Sequence, residues 1–165
     1  MTEQSDAPRS LSHIDPAAGP RMVDVGGKQA TRREAVARCR VVMSPATHRA
    51  IRDGTTPKGD VLSVAQLAGV MAAKRTAELI PLCHVIPLSF VGVDAALGPD
   101  DASVEIEATV RTVGQTGAEM EALTAVTIAA LTVYDMCKAI DRAMRIEAAR
   151  LVAKSGGQSG DLILE

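Results

Sequence analysis

The chain has 165 residues with 18 basic and 20 acidic side chains, giving a formal charge of −2, and 47% of its residues are apolar. That apolar fraction excludes a wholly disordered chain. The balanced charge and the near absence of aromatic residues (1%) argue against a nucleic-acid-binding or membrane-surface protein. The composition therefore predicts one domain with a core of Val, Leu, Ile, Met and Ala, and because small side chains bury little area each, we expect self-association to add burial.

The cysteines and the apolar runs indicate the cellular setting. Cys39, Cys83 and Cys137 are odd in number and form no C-x-x-C pair, so neither a disulfide framework nor a zinc site is predicted. No apolar run approaches the roughly 18 residues of a membrane span, and the first residues lack the apolar core of a signal peptide. We therefore expect a cytoplasmic protein with no metal site.

The predicted elements follow in chain order. Residues 1–20 mix Ser, Asp, Pro and Gly without periodicity, which predicts a flexible tail before a single domain over 21–165. Apolar alternation predicts a strand over 35–43, and two helices follow over 44–54 and 61–79, the first capped by Ser44 and the second by Asp60 or Ser63. Strands are predicted over 85–97 and 104–111, a long helix over 118–140, a last strand over 144–153, and a flexible glycine-rich loop over 154–161.

This order of elements indicates a fold class. The predicted order is a strand, a pair of helices, two strands, a helix and a last strand. This is the β-α-β-β-α-β succession of ferredoxin-like folds, with one short helix added. The chain is therefore predicted to be α+β, with helices packed on one face of an antiparallel sheet and the other face left for a partner.

The long helix carries the most information about function. Residues 123–133 are apolar or small nearly all round, which predicts burial on most sides, between subunits in a small domain. Glu119 and Glu121 lie in its first turn, where the helix dipole favours carboxylates and accounts for both. Asp135, three residues before Lys138, opposes the dipole at the other end. That pattern is typical of a tuned acid–base pair, but the residues alone favour a solvated ion pair over catalysis.

The two ends of this helix are far apart. Glu121 and Asp135 are separated by about 21 Å along the axis, so one small substrate cannot touch both within a single chain. If both act, the ligand is long or a neighbouring subunit completes the site.

A set of basic groups suited to phosphates surrounds the second helix and the loops. It comprises Lys74 and Arg75, the histidine of the Pro81–His84 turn, and Lys58 and Lys154 in glycine-containing loops. Each of them singly is also explained as a solvated or structural residue. Neither Gly26-Gly27-Lys28 nor Lys58-Gly59 has the spacing of a Walker A loop. Cys83 as a nucleophile is disfavoured, since adjacent residues such as Cys83 and His84 rarely present both side chains to one point.

Several longer strings of the sequence are informative when taken together. They are Met22-Val23-Asp24-Val25, Lys58-Gly59-Asp60-Val61, Ala73-Lys74-Arg75-Thr76, Leu79-Ile80-Pro81-Leu82-Cys83-His84, Gly117-Ala118-Glu119-Met120-Glu121-Ala122-Leu123-Thr124, Tyr134-Asp135-Met136-Cys137-Lys138-Ala139 and Lys154-Ser155-Gly156-Gly157. In this order they resemble a known family, the cyclic pyranopterin monophosphate synthases of molybdenum cofactor biosynthesis (the molybdenum cofactor biosynthesis protein C family). The likeness extends from about residue 11 to residue 165.

The resemblance implies a ferredoxin-like subunit that assembles as a homohexamer, a trimer of dimers, with its active site where subunits meet. It implies a lyase that converts a 3′,8-cyclised GTP derivative into cyclic pyranopterin monophosphate with release of pyrophosphate. Such proton and phosphoryl transfers need acids, bases and cations but no redox cofactor. Whether Mg²⁺ accompanies the triphosphate stays open.

The resemblance also assigns roles to residues. It makes Asp135 and Lys138 catalytic, and our hypothesis is that Lys138 shuttles protons while Asp135 orients it or activates water. Because a lysine is a poor base at neutral pH, we expect burial or a neighbouring cation such as Lys58 to lower the pKa of Lys138, against the effect of Asp135. The substrate-binding set is Leu82, Cys83, His84, Met120 and Glu121, together with Lys58, Lys74, Glu119 and Lys154.

One departure and two rival interpretations remain. Gln158 stands in the glycine-rich tail where members of the family often carry a second lysine, which would leave one cation fewer near a phosphate. The rivals are a non-catalytic oligomer that binds a purine triphosphate and a structural interaction domain without a ligand.

Overall fold

The computed structural model describes residues 14–15 and 19–165. Two short segments, β1 (Ile14–Asp15) and β2 (Gly19–Pro20), pair antiparallel at the start of this part of the chain. The predicted flexible tail, residues 1–20, lies for most of its length outside the described residues.

The remaining elements form one five-stranded antiparallel sheet with helices packed against it. The sheet order is β4-β5-β3-β6-β7, and its first four strands have the connectivity of the ferredoxin-like fold, which confirms the prediction. The elements are β3 (Thr31–Val42), α1 (Pro45–Arg52), α2 (Val61–Ala73), α3 (Thr76–Leu79), β4 (Leu88–Leu97), β5 (Ser103–Gly114), α4 (Glu119–Cys137), β6 (Arg145–Ser155) and β7 (Leu162–Ile163).

Alternation along the two central strands decides which face of the sheet is dry. On β3, Ala35, Ala37, Cys39 and Val41 are buried, and their neighbours on β5 at 104, 106, 108 and 110 are buried as well. The opposite face carries ion pairs such as Arg38–Glu107 and Arg40–Glu105. This uncovered face, predicted to be left for a partner, is thus charged and internally paired. The exposed apolar side chains of the helix layer include Val64, Leu67, Met71 and Leu131.

The helix layer lies close to the sheet because its contact residues are small. Four alanines of α4 are fully buried: Ala122, Ala125, Ala129 and Ala130. Gly69 of α2 faces α4 so closely that a Cβ there would lie 3.0 Å from the Ala125 carbonyl oxygen and 3.1 Å from Val93. Small residues therefore allow α2 and α4 to pack as one layer on the sheet.

The helix starts follow the predicted capping. Ser44 Oγ accepts a hydrogen bond from Thr47 N ahead of Pro45, and Asp60 Oδ1 accepts one from Ser63 N. Asp60, rather than Ser63, is therefore the N-cap of α2. The predicted helix over 61–79 is interrupted at Lys74–Arg75, and its last turn forms α3.

Helix α4 is buried largely within its own chain, and the predicted burial between subunits stays a prediction. By length and composition it could cross a membrane, contrary to the prediction that no apolar run approaches such a span, but 56% of its apolar stretch is buried inside the chain. It packs on β3, β5, β6 and α2, the arrangement of a core helix.

The glycine-rich segment also differs from prediction. Lys154 and Ser155 belong to β6, and residues 156–161 form a turn that returns the chain to pair as β7. Gly156 N donates to Asp161 Oδ1 at 3.0 Å, and Gly156 has a φ of +82°, with the Arg32 carbonyl where a Cβ would lie. A glycine is needed there because a side chain would be both strained and blocked.

Candidate active site

A cavity of about 540 Å³ lies beside the N-terminal end of α4. Three parts of the chain line it: the segment before β3, the turn after α3, and the start of α4. Most of the predicted substrate-binding residues meet here, namely Leu82, Cys83, His84, Glu119, Met120 and Glu121. The cavity therefore brings together the two family-like strings around residues 82–84 and 119–121.

The two glutamates give the cavity an acidic wall. Glu121 is only 4% exposed, and burial raises the pKa of its carboxyl group, with the Glu119 charge adding to the effect. A Cβ at Gly117 would overlap the Glu119 carboxylate, so glycine leaves room for that side chain. The helix dipole explains why carboxylates occur in this turn, but it does not require Glu121 to be buried.

The predicted turn residues Cys83 and His84 have different properties. His84 Nε2 lies 2.8 Å from Val23 O; because a carbonyl only accepts, Nε2 carries the proton and donates it. Burial raises the pKa of the Cys83 thiol, and Glu121 adds to this. A raised thiol pKa disfavours the thiolate at neutral pH, which agrees with setting Cys83 aside as a nucleophile.

A second cluster lies at the C-terminal end of α4. Asp135 Oδ1 accepts from Lys138 Nζ at 2.7 Å, and its Oδ2 accepts from Lys58 Nζ at 2.5 Å. The Asp135 and Lys138 side chains are 51% and 53% exposed. The predicted pair is thus formed, and the loop after α1 adds the second lysine.

Asp135 and Lys138 each favour the charged form of the other. Hydrogen bonds from Lys138 and then Lys58 lower the pKa of Asp135 to about 2. Asp135 in turn raises the pKa of Lys138, so within this chain the expected lowering of that pKa is wrong. The physical reason is that Lys138 hydrogen-bonds the charged Asp135 carboxylate, which favours the ammonium form of Lys138.

The remaining predicted lysines lie apart from both clusters. Lys74 caps the exposed C-terminal end of α2. Lys154 donates to Ser159 Oγ and lines a separate cavity of about 210 Å³ at the β6–β7 edge. With α4 continuous from residue 119 to residue 137, Glu121 and Asp135 remain about 21 Å apart along its axis. One chain therefore presents its site residues in separate places.

The sequence analysis missed one part of the cavity. Val23, Val25 and Lys28 line it from the segment before β3, whereas the sequence suggests for Lys28 only a Walker A loop that its spacing excludes. The signal that could have found it is the Gly26-Gly27 pair beside a lysine, next to a family-like string. Among the described residues no group of three or more His, Cys, Asp or Glu could hold a metal ion.

Comparison with known proteins gives consistent matches over nearly the whole chain. The model of the MoaC family matches residues 22–157. A protein of Chloroflexus aurantiacus named cyclic pyranopterin monophosphate synthase is 63% identical, covering 95% of this chain and 96% of that protein. Proteins of the same name from Roseiflexus sp. and Pelotomaculum thermopropionicum are 61% and 62% identical, covering 93% and 91% of this chain and 97% and 88% of theirs.

Proposed function

Because the chain belongs to the MoaC family, we propose that it is a cyclic pyranopterin monophosphate synthase acting in molybdenum cofactor biosynthesis. Its substrate is the 3′,8-cyclised GTP derivative 3′,8-cyclo-7,8-dihydroguanosine 5′-triphosphate, and its products are cyclic pyranopterin monophosphate and pyrophosphate. The observation that carries the proposal is the cavity in which Leu82–His84 and Glu119–Glu121 converge, since these are the substrate-binding strings of that family.

The charged cluster supplies groups for the chemistry. A cyclic phosphate closes as pyrophosphate leaves, so a proton must move and negative charge must be stabilised on the leaving group. Lys138 and Lys58 supply cations, and Asp135 holds both at hydrogen-bond distance. In this proposal Lys138, whose charged form Asp135 favours, transfers the proton.

Assembly completes the site. We place the cavity of one subunit against the Asp135 cluster of its neighbour in a homohexamer, a trimer of dimers. The separation of the two ends of α4 supports this, because no small substrate spans about 21 Å. The exposed apolar side chains of the helix layer, Leu67 foremost at 61% exposure, support burial against another copy.

The setting follows from the same proposal. The catalytic domain spans residues 21–165, and the enzyme works in the cytoplasm, where its three free cysteines stay reduced. It uses no resident cofactor, and Mg²⁺ enters with the triphosphate. Chelation by EDTA would then reduce turnover at low substrate, and added Mg²⁺ would restore it.

The direct test is incubation of the purified protein with the cyclised GTP derivative, following pyrophosphate and the pterin product. We expect both products from the wild type and a loss of at least about 100-fold in kcat for Lys138→Ala and Asp135→Asn. Asp53→Asn is the matched control, because Asp53 is also a half-exposed aspartate in an ion pair. Binding without pyrophosphate release would favour the non-catalytic triphosphate-binding oligomer instead.

The shared site is tested by complementation. Glu121→Gln and Asp135→Asn chains alter opposite ends of α4, so each assembly alone is expected to be impaired. If two chains form one site, refolding an equal mixture restores about a quarter of the sites. Activity no higher than the mean of the two variants would contradict the arrangement.

A further inference from the structure

The segment over residues 22–28, here named the strap, is held in place without regular secondary structure. It forms neither helix nor strand, yet Val23, Val25 and Lys28 line the cavity beside α4. Two side chains from distant parts of the fold hold its backbone. His84 donates to Val23 O, and Gln115 donates to Lys28 O at 2.9 Å and to Gly26 O at 3.2 Å.

Gln115 is suited to this task by its chemistry and its position. Its amide nitrogen has two hydrogens, one for each of two strap carbonyls. The residue follows directly on β5, and Arg33 fixes this corner by donating from Nε to Gly114 O at 2.9 Å and from Nη2 to Gln115 O at 3.2 Å. The strap is therefore tied to the rigid end of the central sheet rather than to another loop.

The hydrogen bond from Gln115 fixes the backbone of Lys28 beside the cavity. Lys28 is the one lysine or arginine among the described residues that line the cavity, and it forms no ion pair with any described residue. Gln115 bonds the carbonyl of Lys28 itself, so the backbone from which the ammonium extends is fixed. A cation that lines the same cavity as Glu119 and Glu121 offers a contact for a phosphate group at one end of a bound ligand.

We propose that Gln115 is a positioning residue, which holds the strap so that Lys28 contacts the triphosphate of the substrate. This inference rests on the proposed function, and it adds two residues that the family-like strings did not single out as site residues. Gln115 acts only through the strap, so its effect on catalysis passes through Lys28.

The kinetic test is a double-mutant cycle with Lys28→Met and Gln115→Glu, the latter keeping the shape of the side chain while removing both donors. We expect each single variant to raise KM about 10-fold with little change in kcat, because a hydrogen bond to a charged phosphate is lost. The double variant should be no worse than Lys28→Met alone. Additive effects, or an unchanged KM for Gln115→Glu, would overturn the proposal.

The cycle also excludes simple charge repulsion, since a carboxylate that repelled phosphate would still do so without Lys28. Gln66→Glu, the same change on α2 away from the cavity, is the matched control and should leave KM unchanged. Gln115→Ala, which removes the donors without adding charge, gives the same comparison if Gln115→Glu does not fold.

A second readout separates this inference from the proposed function. Amide hydrogen exchange over residues 22–28 of the free protein should speed up in Gln115→Glu and stay unchanged in Lys28→Met. Unchanged exchange in Gln115→Glu would overturn the anchoring role whatever the enzyme does. If the wild type released no pyrophosphate while exchange and the Lys28-dependent binding of GTP behaved as expected, the proposed function would fail and the positioning role would stand.

Discussion

Replacing the lysines around Asp135 should change the ionisation of that carboxyl group by an amount set by two contacts. Lys138 and Lys58 together lower the pKa of Asp135 from its ordinary 3.8 to about 2. At pH 3.8 the wild-type carboxyl should therefore be about 98% ionised, while the double variant Lys58→Met/Lys138→Met should be about half ionised. Lys138→Met alone should have the larger single effect, because the hydrogen bond from Lys138 is the leading cause.

The assay is carbon NMR of the aspartate side-chain carboxyl groups, recorded between pH 5 and pH 3. Asp53 is an internal control, since Arg52 lowers its pKa and neither substitution touches that pair. A wild-type midpoint for Asp135 near 3.8, or one that the lysine substitutions leave in place, would refute the reasoning. The lowered pKa also fixes a sign: stabilisation from ionised Asp135 is present above its ordinary pKa and is lost as pH falls through about 2.

Three further results are expected. Burial raises the pKa of Glu121, so the stability that this group contributes to the wild type is present below its ordinary pKa of 4.5 and is lost as pH rises through the raised value. The Tm of Glu121→Gln should therefore match that of the wild type near pH 4 and exceed it at pH 7. The reverse trend would mean that a cation pairs with Glu121. Gly117→Ala should displace the Glu119 carboxylate from the cavity and raise KM several-fold at unchanged Tm, and an unchanged KM would show that Glu119 does not contact substrate. Gly69→Ala should gain about 1 kcal/mol of helix propensity and lose about 1–3 kcal/mol to crowding against Val93. The net loss of stability is about 1 kcal/mol, which lowers the Tm measured by calorimetry by about 2–4 °C. A higher Tm would show that the contact between α2 and the sheet adjusts to the added methyl group.

Much of the fold could be predicted because it depends on local patterns. Alternation along β3 and β5 and the caps at Ser44 and Asp60 are properties of neighbouring residues, and each is found where it was expected. The boundaries were less accurate where tertiary contacts decide them. The break at Lys74–Arg75 and the return of the chain as β7 depend on what the helix layer and the sheet edge can accommodate.

The features of the site also divide into those that local sequence predicts and those that only packing brings together. The sequence by itself determined the residue types and the family-like strings, and the helical spacing alone placed Asp135 beside Lys138. Only the tertiary structure decided that Glu121 is buried, that Lys58 joins Asp135, and that Gln115 donates a hydrogen bond to the Lys28 carbonyl. These contacts join residues far apart in the chain, and burial and hydrogen bonding across such separations follow from packing, which no local pattern encodes.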